Sequence, residues 1–395
     1  MRGSTPKAAL AAIAVLTMAL VLAACGSSGG SSSSGESTAA SESSAGAETT
    51  ASESGGSSRR IATAKKEIGP YIGRPSAFPV TEKLKEVPEG ATIDYVDCGT
   101  PICALFWQLL GPAAQTMGVK VERVKAGSAA NTVSAAFDSV IAKHPAGVIV
   151  GSVTMQLWSN QLKELQEAEI PVVTTGITGA EEFGIEAPQA SNRSSEEEGR
   201  LMADYAVAEM GGGEETDAVF YETPELTFTT VVGEAFTSEL EKVCPRCSVR
   251  IAKVGIEEFG NTAPNTVVSD LQANPETNLA VFGSNEVAGG LPAALQAAGI
   301  EIETLGNSPA PTELQYLKEG KQTAGLGFDL PVLTWTLLDQ TAREIVGQKL
   351  TGPESEGIPV NQFLTQKDIT FDPSKGWTGY PDFAERFAKL WGVGG

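Results

Sequence analysis

Histidine is almost absent from the 395-residue chain, whose single imidazole, His144, lies in the turn KHPAG ahead of a strand-like run. We expect a surface or turn role for this residue, which removes most Ser-His-Asp, Cys-His and histidine-ligated metal sites from consideration, because each needs a placed imidazole. The chain also lacks a phosphate-binding Gly-Lys-Ser/Thr run, and no Gly-x-Gly-x-x-Gly directly follows its first strand. We expect no catalytic residues, no cofactor and no metal site, although a carboxylate pair like that of glycoside hydrolases stays open.

Positive charge is also scarce. The chain has 28 Lys plus Arg against 49 Asp plus Glu, which gives a formal net charge of -21. An acidic surface of this size disfavours nucleic acid and anionic lipid as partners, because both carry charge of the same sign. Solubility alone is a sufficient reason for the excess of acidic residues.

The apolar stretch near the N-terminus is too short for a typical membrane helix. It runs from Ala8 to Leu22, follows Arg2 and Lys7, and ends in small residues. This is the three-part build of a secretory signal, and the next residues, GSSGGSSSSGES, lack the basic flank that would retain a membrane helix. We therefore predict a signal peptide over residues 1–24.

The end of this signal, Leu22-Ala23-Ala24-Cys25, resembles the bacterial lipobox, in which the cysteine is acylated and becomes the first residue of the mature chain. The Ser/Gly-rich residues 25–64 then form a disordered tether, and about thirty such residues span roughly 30 Å. The resemblance implies a soluble body held just off the cell membrane, on its extracytoplasmic side, by a lipid on Cys25.

The other cysteines form two local pairs, Cys98 with Cys103 and Cys244 with Cys247. Outside the cell this spacing indicates local disulfides. Two alternatives stay open. One is a thioredoxin-type redox site at CPRC, which is disfavoured because a predicted helix precedes the motif and a strand follows it. The other is a zinc site built from all four cysteines.

From Ala91 onward, short strand-like runs alternate with amphipathic helical runs, which is typical of parallel sheets covered by helices on both faces. One such helix carries Val133, Ala136, Phe137 and Val140 at the spacing of a single buried face. The predicted strands read TIDYVD, VKVERV, GVIVGSV and IPVVTTG, then DAVFYET, SVRIAKV, LAVFGSN, IETLGN and TAGLGFD. The sequence predicts an α/β fold of two doubly wound parallel-sheet lobes.

Three segments in order resemble the sugar-type periplasmic binding proteins of the ribose-binding class, namely GVIVGSVTMQLWSNQLKELQEAEIPVVTTG, LAVFGSNEVAGGLPAALQAAGI and YLKEGKQTAGLGFDLPVLTW. The resemblance covers most of residues 91–364. It implies the type I periplasmic-binding-protein fold, in which two lobes joined by three crossings close on a small-molecule ligand. It also implies a monomer without enzyme activity that delivers its ligand to the permease subunits of an ABC importer.

The resemblance sets the expected lobe boundaries. The N-terminal lobe is expected to comprise residues 65–190 and 330–365, and the C-terminal lobe residues 191–329 and 366–395. The crossings between the lobes are expected near Asn192, Asp329 and Gln366.

Three polar residues, Ser284, Asn285 and Glu286, follow an apolar run where a strand passes into a helix. Ligands of open parallel sheets bind beyond the carboxyl ends of the strands, so these side chains either face the cleft between the lobes or cap the helix. Asn285 matches the asparagine that hydrogen-bonds ligand hydroxyls in the ribose-binding class. An amide suits this role because it both donates and accepts hydrogen bonds.

Other strand ends supply the remaining candidate ligand-binding residues. By resemblance, Phe106 and Trp107 correspond to paired aromatics that pack against the C–H face of a sugar ring, and ordinary helix core is the alternative. The other candidates are Thr175, Gly176, Thr230, Phe259, Asn307, Phe328 and Asp329.

The chain departs from the resembled class in charge. Pentose and hexose binders often carry charged residues where this chain has Thr175 with Gly176 and, further on, Thr230. A neutral and more apolar ligand is therefore implied. Arg193, at the first crossing, is the one basic residue with access to the cleft.

The sequence thus favours a lipid-anchored solute-binding protein that captures a small neutral ligand, a sugar or sugar-like compound. Three alternatives stay open: an extracellular sensor that presents its ligand to a membrane receptor, a binder of small aromatic or apolar solutes, and a surface-tethered hydrolase. Transcription repressors of the LacI type share the two lobes but need an N-terminal helix-turn-helix, where this chain has an export signal.

Replacing Cys25 removes the expected acyl acceptor. We expect the Cys25→Ser variant to leave the membrane fraction for the soluble fraction, whereas the tether variant Ser27→Ala stays membrane-bound. Cell fractionation followed by immunoblotting measures the distribution. A Cys25→Ser chain still held to the membrane by a lipid would contradict the prediction.

Overall fold

The computed structural model describes residues 58–210 and 215–394, and within them helix α1 covers residues 58–68. The predicted signal peptide, Cys25 and most of the predicted tether lie outside the described residues. In the described part of the chain, each of two β-sheets forms one lobe, as the alternation of strand and helix patterns predicts.

Four parallel strands form the sheet of the first lobe. Its elements are β1 (Thr92–Asp97), β2 (Lys120–Lys125), β3 (Gly147–Gly151), β4 (Val172–Thr175), α2 (Pro101–Met117), α3 (Ala130–Lys143) and α4 (Ser159–Glu167). The strand order is β2-β1-β3-β4. Strand β3 is buried along its whole length because helices cover both faces of the sheet, and its sequence GVIVG is accordingly apolar.

The second lobe contains five parallel strands and one antiparallel edge strand, in the order β10-β9-β8-β7-β5-β6. Its strands are β5 (Asp217–Glu222), β6 (Ser248–Lys253), β7 (Leu279–Phe282), β8 (Glu303–Asn307), β9 (Ala324–Phe328) and β10 (Asn361–Leu364). Its helices are α5 (Asn192–Glu209), α6 (Thr227–Val243), α7 (Ala263–Ala273), α8 (Leu291–Ala298) and α9 (Pro311–Lys318). Because β10 pairs with β9, residues 361–364 belong to this lobe, and their assignment to the other lobe is corrected.

Two C-terminal helices complete the first lobe. Helix α10 (Leu330–Ile345) packs against α2, β3 and β4, and helix α11 (Phe383–Trp391) packs against α2 and α10. The rings of Trp335 and Trp391 stack with centroids 5.3 Å apart, which fixes the two helices together. Residues 383–391 therefore belong to the first lobe, which corrects the expected boundary.

The N-terminal segment begins on the second lobe. Ala64 and Ile68 are buried in its core, and Ile72 forms a bridge with Phe363 of β10. Residues 58–64 are thus helical rather than part of the tether. Their helix belongs to the second lobe because its apolar face is buried there.

The chain then crosses to the first lobe, where Val80 and Leu84 join the core. It passes to the second lobe at α5, back to the first lobe at α10, and to the second lobe again at β10. Trp377 is still buried in the second lobe, and Tyr380 is buried in the first. Within the described residues the chain thus passes between the lobes five times, not the expected three.

The structure joins the cysteines in the two local pairs that the sequence predicts. Cys98 pairs with Cys103 at the start of α2, and Cys244 pairs with Cys247 at the turn from α6 to β6. Among the described residues, no group of three or more His, Cys, Asp or Glu side chains is arranged to bind a metal ion. The four-cysteine zinc alternative is therefore not the arrangement in this structure.

A buried ion pair on α10 ties three parts of the first lobe together. Arg343 Nε donates to Asp339 Oδ2 over 2.6 Å, and both side chains are fully buried. Arg343 Nη2 also donates to the backbone carbonyl of Glu82 over 2.6 Å, and Trp391 Nε1 donates to Asp339 Oδ1 over 2.8 Å. The pair therefore holds the N-terminal segment and α11 on α10.

We expect Asp339→Ala to lower the free energy of unfolding by about 3–5 kcal/mol, because it leaves the Arg343 cation buried without its carboxylate. The matched control is Asp382→Ala, which removes an exposed Asp–Arg pair of the same helical spacing on α11 and costs about 0–1 kcal/mol. Denaturant unfolding measures both. Equal costs for the two variants would contradict the prediction.

Candidate ligand-binding cleft

A cavity of about 50 Å³ lies between the lobes, beyond the carboxyl ends of strands from both sheets. This is where ligands of open parallel sheets bind. Its apolar lining residues are Ile102, Phe106, Ala190, Leu226, Phe228, Phe328 and Leu330. Its hydroxyl groups come from Thr100, Ser152, Thr175, Ser195, Ser284 and Ser308.

Strained backbone recurs around this cavity. Ser152, Ala190 and Ser308 line it and have φ angles of 49°, 50° and 55°, in the left-handed region that side chains other than glycine seldom adopt. Such conformations persist where the surrounding structure imposes them, and they cluster at ligand sites. Two of the three are hydroxyl-bearing residues directly after strands, so the strain sets where those hydroxyls lie.

Two carboxyl groups, Glu198 and Glu286, also line the cavity, and no basic residue is among its described lining residues. Glu286 Oε1 accepts a hydrogen bond of 2.9 Å from the backbone N–H of Ile102, in the first turn of α2 in the other lobe. Oε2 of Glu286 has no hydrogen-bond partner, although the residue is only 5% exposed. Burial raises the pKa of this carboxyl to about 7, and the bond from Ile102 together with the nearby Thr100 hydroxyl, which makes no hydrogen bond to Oε2, opposes the shift.

Glu198 of α5 is fully bonded, in contrast to Glu286. Ser194 Oγ donates to Oε1 over 2.7 Å, and Asn307 Nδ2 donates to Oε2 over 2.9 Å. Burial raises the pKa of Glu198 to about 7 despite these bonds. Asn307 therefore holds Glu198 in place and does not itself line the cavity.

Sequence reasoning did not find Glu198. The available signal was helical spacing: Leu201, Met202 and Tyr205 follow it at intervals of three, four and seven on the buried face of α5. A carboxyl group on the apolar face of a helix needs a partner or a function.

The three polar residues that follow β7, Ser284, Asn285 and Glu286, do not all face the cavity. Ser284 and Glu286 line the cavity, whereas Asn285 is fully buried and turned away from it. Asn285 Nδ2 donates to Gln322 Oε1 over 3.3 Å, and Gln322 Nε2 donates to Asn285 Oδ1 over 3.1 Å. A Cβ atom at position 306 would lie 1.8 Å from Asn285 Oδ1, so the Asn285 side chain fits only because residue 306 is glycine.

Two expectations for this segment are therefore corrected. Asn285 makes no contact with the cavity, since its hydrogen-bonding groups are used by Gln322. Neither Ser284 nor Asn285 caps a helix with its side chain, because residues Asn285–Ala288 form a 3-10 turn and α8 begins only after Gly290.

Four of the predicted residues line the cavity: Phe106, Thr175, Gly176 and Phe328. Gly176 has a φ of 66°, and a Cβ there would lie 2.4 Å from Ser152 Oγ, so only glycine fits. Phe106 is also part of the first lobe's core, which was the alternative for it.

Other predicted residues lie elsewhere. Trp107 packs outside the cavity, beneath the guanidinium of Arg123, whose Cζ is 5.9 Å from the ring centroid. Thr230 donates to Glu222 Oε1 over 2.6 Å, one helical turn away from the cavity. Neither is among the cavity's lining residues, so both assignments are corrected.

Asp329 and Arg193 have structural partners. Asp329 is fully buried at the N-terminus of α10 and accepts from the backbone N–H groups of Val332 and Gly379, over 3.1 Å and 2.9 Å. Arg193 is exposed and pairs with Glu356 over 2.9 Å. Asp329 thus joins the crossing segments, and Arg193 does not enter the cavity.

A second cavity of about 580 Å³ lies beside the first, and Glu286 lines both. Phe259, the remaining predicted aromatic, lines this second cavity together with Glu313. Glu313 is 3% exposed, and its Oε2 has no hydrogen-bond partner. Burial and the neighbouring charge of Glu286 raise its pKa to about 8.

Two α/β lobes with several crossings and a cavity between them are the architecture of a two-lobed binding protein. A family model for the periplasmic binding protein domain matches residues 99–349, more than half of the chain. The chain therefore belongs to that family, and it is a solute-binding protein rather than an enzyme. The fold and family predicted from sequence are confirmed.

Solved structures of other proteins share the fold. An ABC transporter solute binding protein from Agrobacterium vitis with bound allitol has a TM-score of 0.60 and 18% identity, covering 71% of this chain and 97% of that chain. The periplasmic binding protein component of the arabinose ABC transporter from Shewanella sp. ANA-3, bound to L-arabinofuranose, has a TM-score of 0.60 and 17% identity, covering 76% and 97%. No curated protein matches the chain by sequence.

Every helix in the described residues is too short or too polar to cross a membrane.

The buried carboxyl groups make stability depend on pH. Their pKa values, about 7 for Glu198 and Glu286 and about 8 for Glu313, exceed the ordinary value of 4.5 that applies in the unfolded chain. At a pH between 4.5 and the raised pKa, each carboxyl holds its proton in the folded chain and has released it in the unfolded chain. The free energy of unfolding therefore falls as pH rises through this range. We expect the ligand-free protein to lose on the order of 2 kcal/mol per carboxyl between about pH 5 and pH 8.

Denaturant unfolding across this range tests the prediction. Glutamine mimics the protonated carboxyl, so Glu286→Gln should lose about 2 kcal/mol less than wild type over the range. The exposed control Glu181→Gln should keep the wild-type dependence. Stability that rises toward pH 8, or an unchanged dependence in Glu286→Gln, would show that the carboxyl is not held as described.

Proposed function

We propose that the protein captures a small, hydroxylated, sugar-like solute between its lobes and delivers it to the permease subunits of an ABC importer. In this proposal it acts as a monomer outside the cytoplasm, tethered to the cell membrane by a lipid on Cys25. The observation that carries the proposal is the enclosed inter-lobe cavity, which combines aromatic walls with hydroxyl groups at strand ends.

The chemistry of the cavity suits such a solute. Phe106, Phe228 and Phe328 offer ring faces to C–H groups, and the surrounding serine and threonine hydroxyls both donate and accept hydrogen bonds. Proteins of the same fold hold allitol and L-arabinofuranose, which are compact polyhydroxylated molecules.

The size of the cavity requires the lobes to move. A cavity of about 50 Å³ accommodates only a few water molecules, because each water molecule needs about 10–15 Å³. A solute the size of a sugar therefore enters an opened cleft, and the lobes close on it by rotation about the crossings, as in other hinged binding proteins.

The apolar lining supports a second candidate, a small aromatic solute. Seven of the cavity's lining side chains are aliphatic or aromatic, and preformed pockets of this character bind flat apolar molecules well. The two candidates differ in how much binding depends on hydroxyl groups of the solute.

Calorimetric titration with sugars, polyols and small aromatic compounds tests the proposed function. With the sugar-like solute that binds, Phe228→Ala should lower affinity by about 2 kcal/mol, because the half-buried ring loses its contact with the solute. The control Trp107→Ala removes a ring that packs outside the cavity and should leave affinity unchanged. The proposal is wrong if no sugar or polyol binds, or if Trp107→Ala weakens binding and Phe228→Ala does not.

A further inference from the structure

An acidic pair, Glu286 with Glu313, lies where the two cavities meet. Both residues are more than nine-tenths buried, and each has one carboxyl oxygen without a hydrogen-bond partner. Glu286 lines both cavities and Glu313 lines the larger one. Neither cavity has a lysine, arginine or histidine among its described lining residues.

This arrangement is unfavourable without a positive charge. Two carboxylates close enough to interact repel each other, and burial removes the water that would otherwise stabilise them. The N-terminus of α2 offers one N–H to Glu286, which satisfies one oxygen and leaves the other without a donor. No lysine, arginine or histidine among the described lining residues supplies a positive charge here, so the ionised form of the pair needs a cation from outside the chain.

We propose that the solute carries a protonated amine, which binds against the free carboxyl oxygens of Glu286 and Glu313. The proposal rests on the proposed function, since it specifies the charge of a solute bound at the same cleft. It replaces the neutral ligand that the sequence implies. An ammonium group has three donors and no acceptor, which matches a pair of acceptors without donors.

An organic cation fits this surrounding better than a metal ion. Ca²⁺ needs six to eight oxygen ligands, whereas the walls here are largely apolar, and the described residues contain no cluster of three or more metal-ligating side chains. Phe106 lines the smaller cavity and Phe259 the larger one, and aromatic faces attract ammonium groups.

The amine has two chemical sources, an amino derivative of a sugar or polyol and an amine without hydroxyl groups. Calorimetric titration of the purified full chain at about pH 8, where Glu286 is largely ionised and Glu313 about half ionised, separates them. The matched probes are D-glucosamine with D-glucose and 1-amino-1-deoxysorbitol with sorbitol, and putrescine is the amine without hydroxyls. We expect at least one amine to bind roughly 30-fold more tightly than its neutral counterpart.

Two variants locate the charge. Glu286→Gln and Glu313→Gln should each lower the ratio of amine affinity to the affinity of the matched neutral compound by roughly 30-fold. Both should fold, because glutamine resembles the protonated carboxyl that burial favours, and thermal melts check this. The control Glu344→Gln changes a partly buried carboxyl whose pKa is also raised to about 7, at a separate cavity in the first lobe, and it should leave amine binding unchanged.

The outcomes separate this inference from the proposed function. Neutral sugars that bind as tightly as their amino counterparts overturn the inference and leave the proposed function standing. Putrescine binding alone, lost in Glu286→Gln, supports the inference and refutes the sugar-like solute. If no amine binds, if Ca²⁺ alone titrates the site, or if both glutamine variants bind amines like wild type, the inference is wrong.

Discussion

A carboxyl group without a cation, that of Glu286, lies where the two lobes meet, and the binding cleft is arranged around it. One oxygen accepts from the first turn of α2 in the opposite lobe, so the residue links the lobes directly. The other oxygen has no partner, and burial raises the pKa of the carboxyl to about 7. Ionising the group without a ligand is therefore costly.

The connections between the lobes give this cleft its frame. Besides the expected crossings, α1 is fixed to the second lobe before the chain enters the first, and the C-terminal segment returns from the second lobe to end on α10. Asp329 lies fully buried at one of these crossings, where it accepts from the backbone of both α10 and the segment at Gly379. In the proposed function, these connected segments are the ones that a rotation of the lobes has to move.

Much of this architecture could be predicted from the sequence because local patterns determine it. Apolar runs such as GVIVG define buried parallel strands, and Thr175 with Gly176 sits at a strand end that must face the cleft. Strand β10 could not be predicted in the same way, since its place depends on antiparallel pairing with β9 rather than on its own pattern. The side chains of Asn285 and Glu286 point to opposite sides, which the local sequence does not determine. Asn285 turns inward because Gly306 leaves space for it, and Glu286 faces the cavity.

The central claim is that the Glu286 carboxyl is buried between closed lobes without a compensating cation. An NMR titration of side-chain carboxyl carbons in the ligand-free protein measures its pKa directly, with the signal assigned from its loss in Glu286→Gln. The account predicts a pKa of about 7 for this group. A pKa near the ordinary value of 4.5 would contradict it, because the carboxyl would then be solvated or paired with a cation.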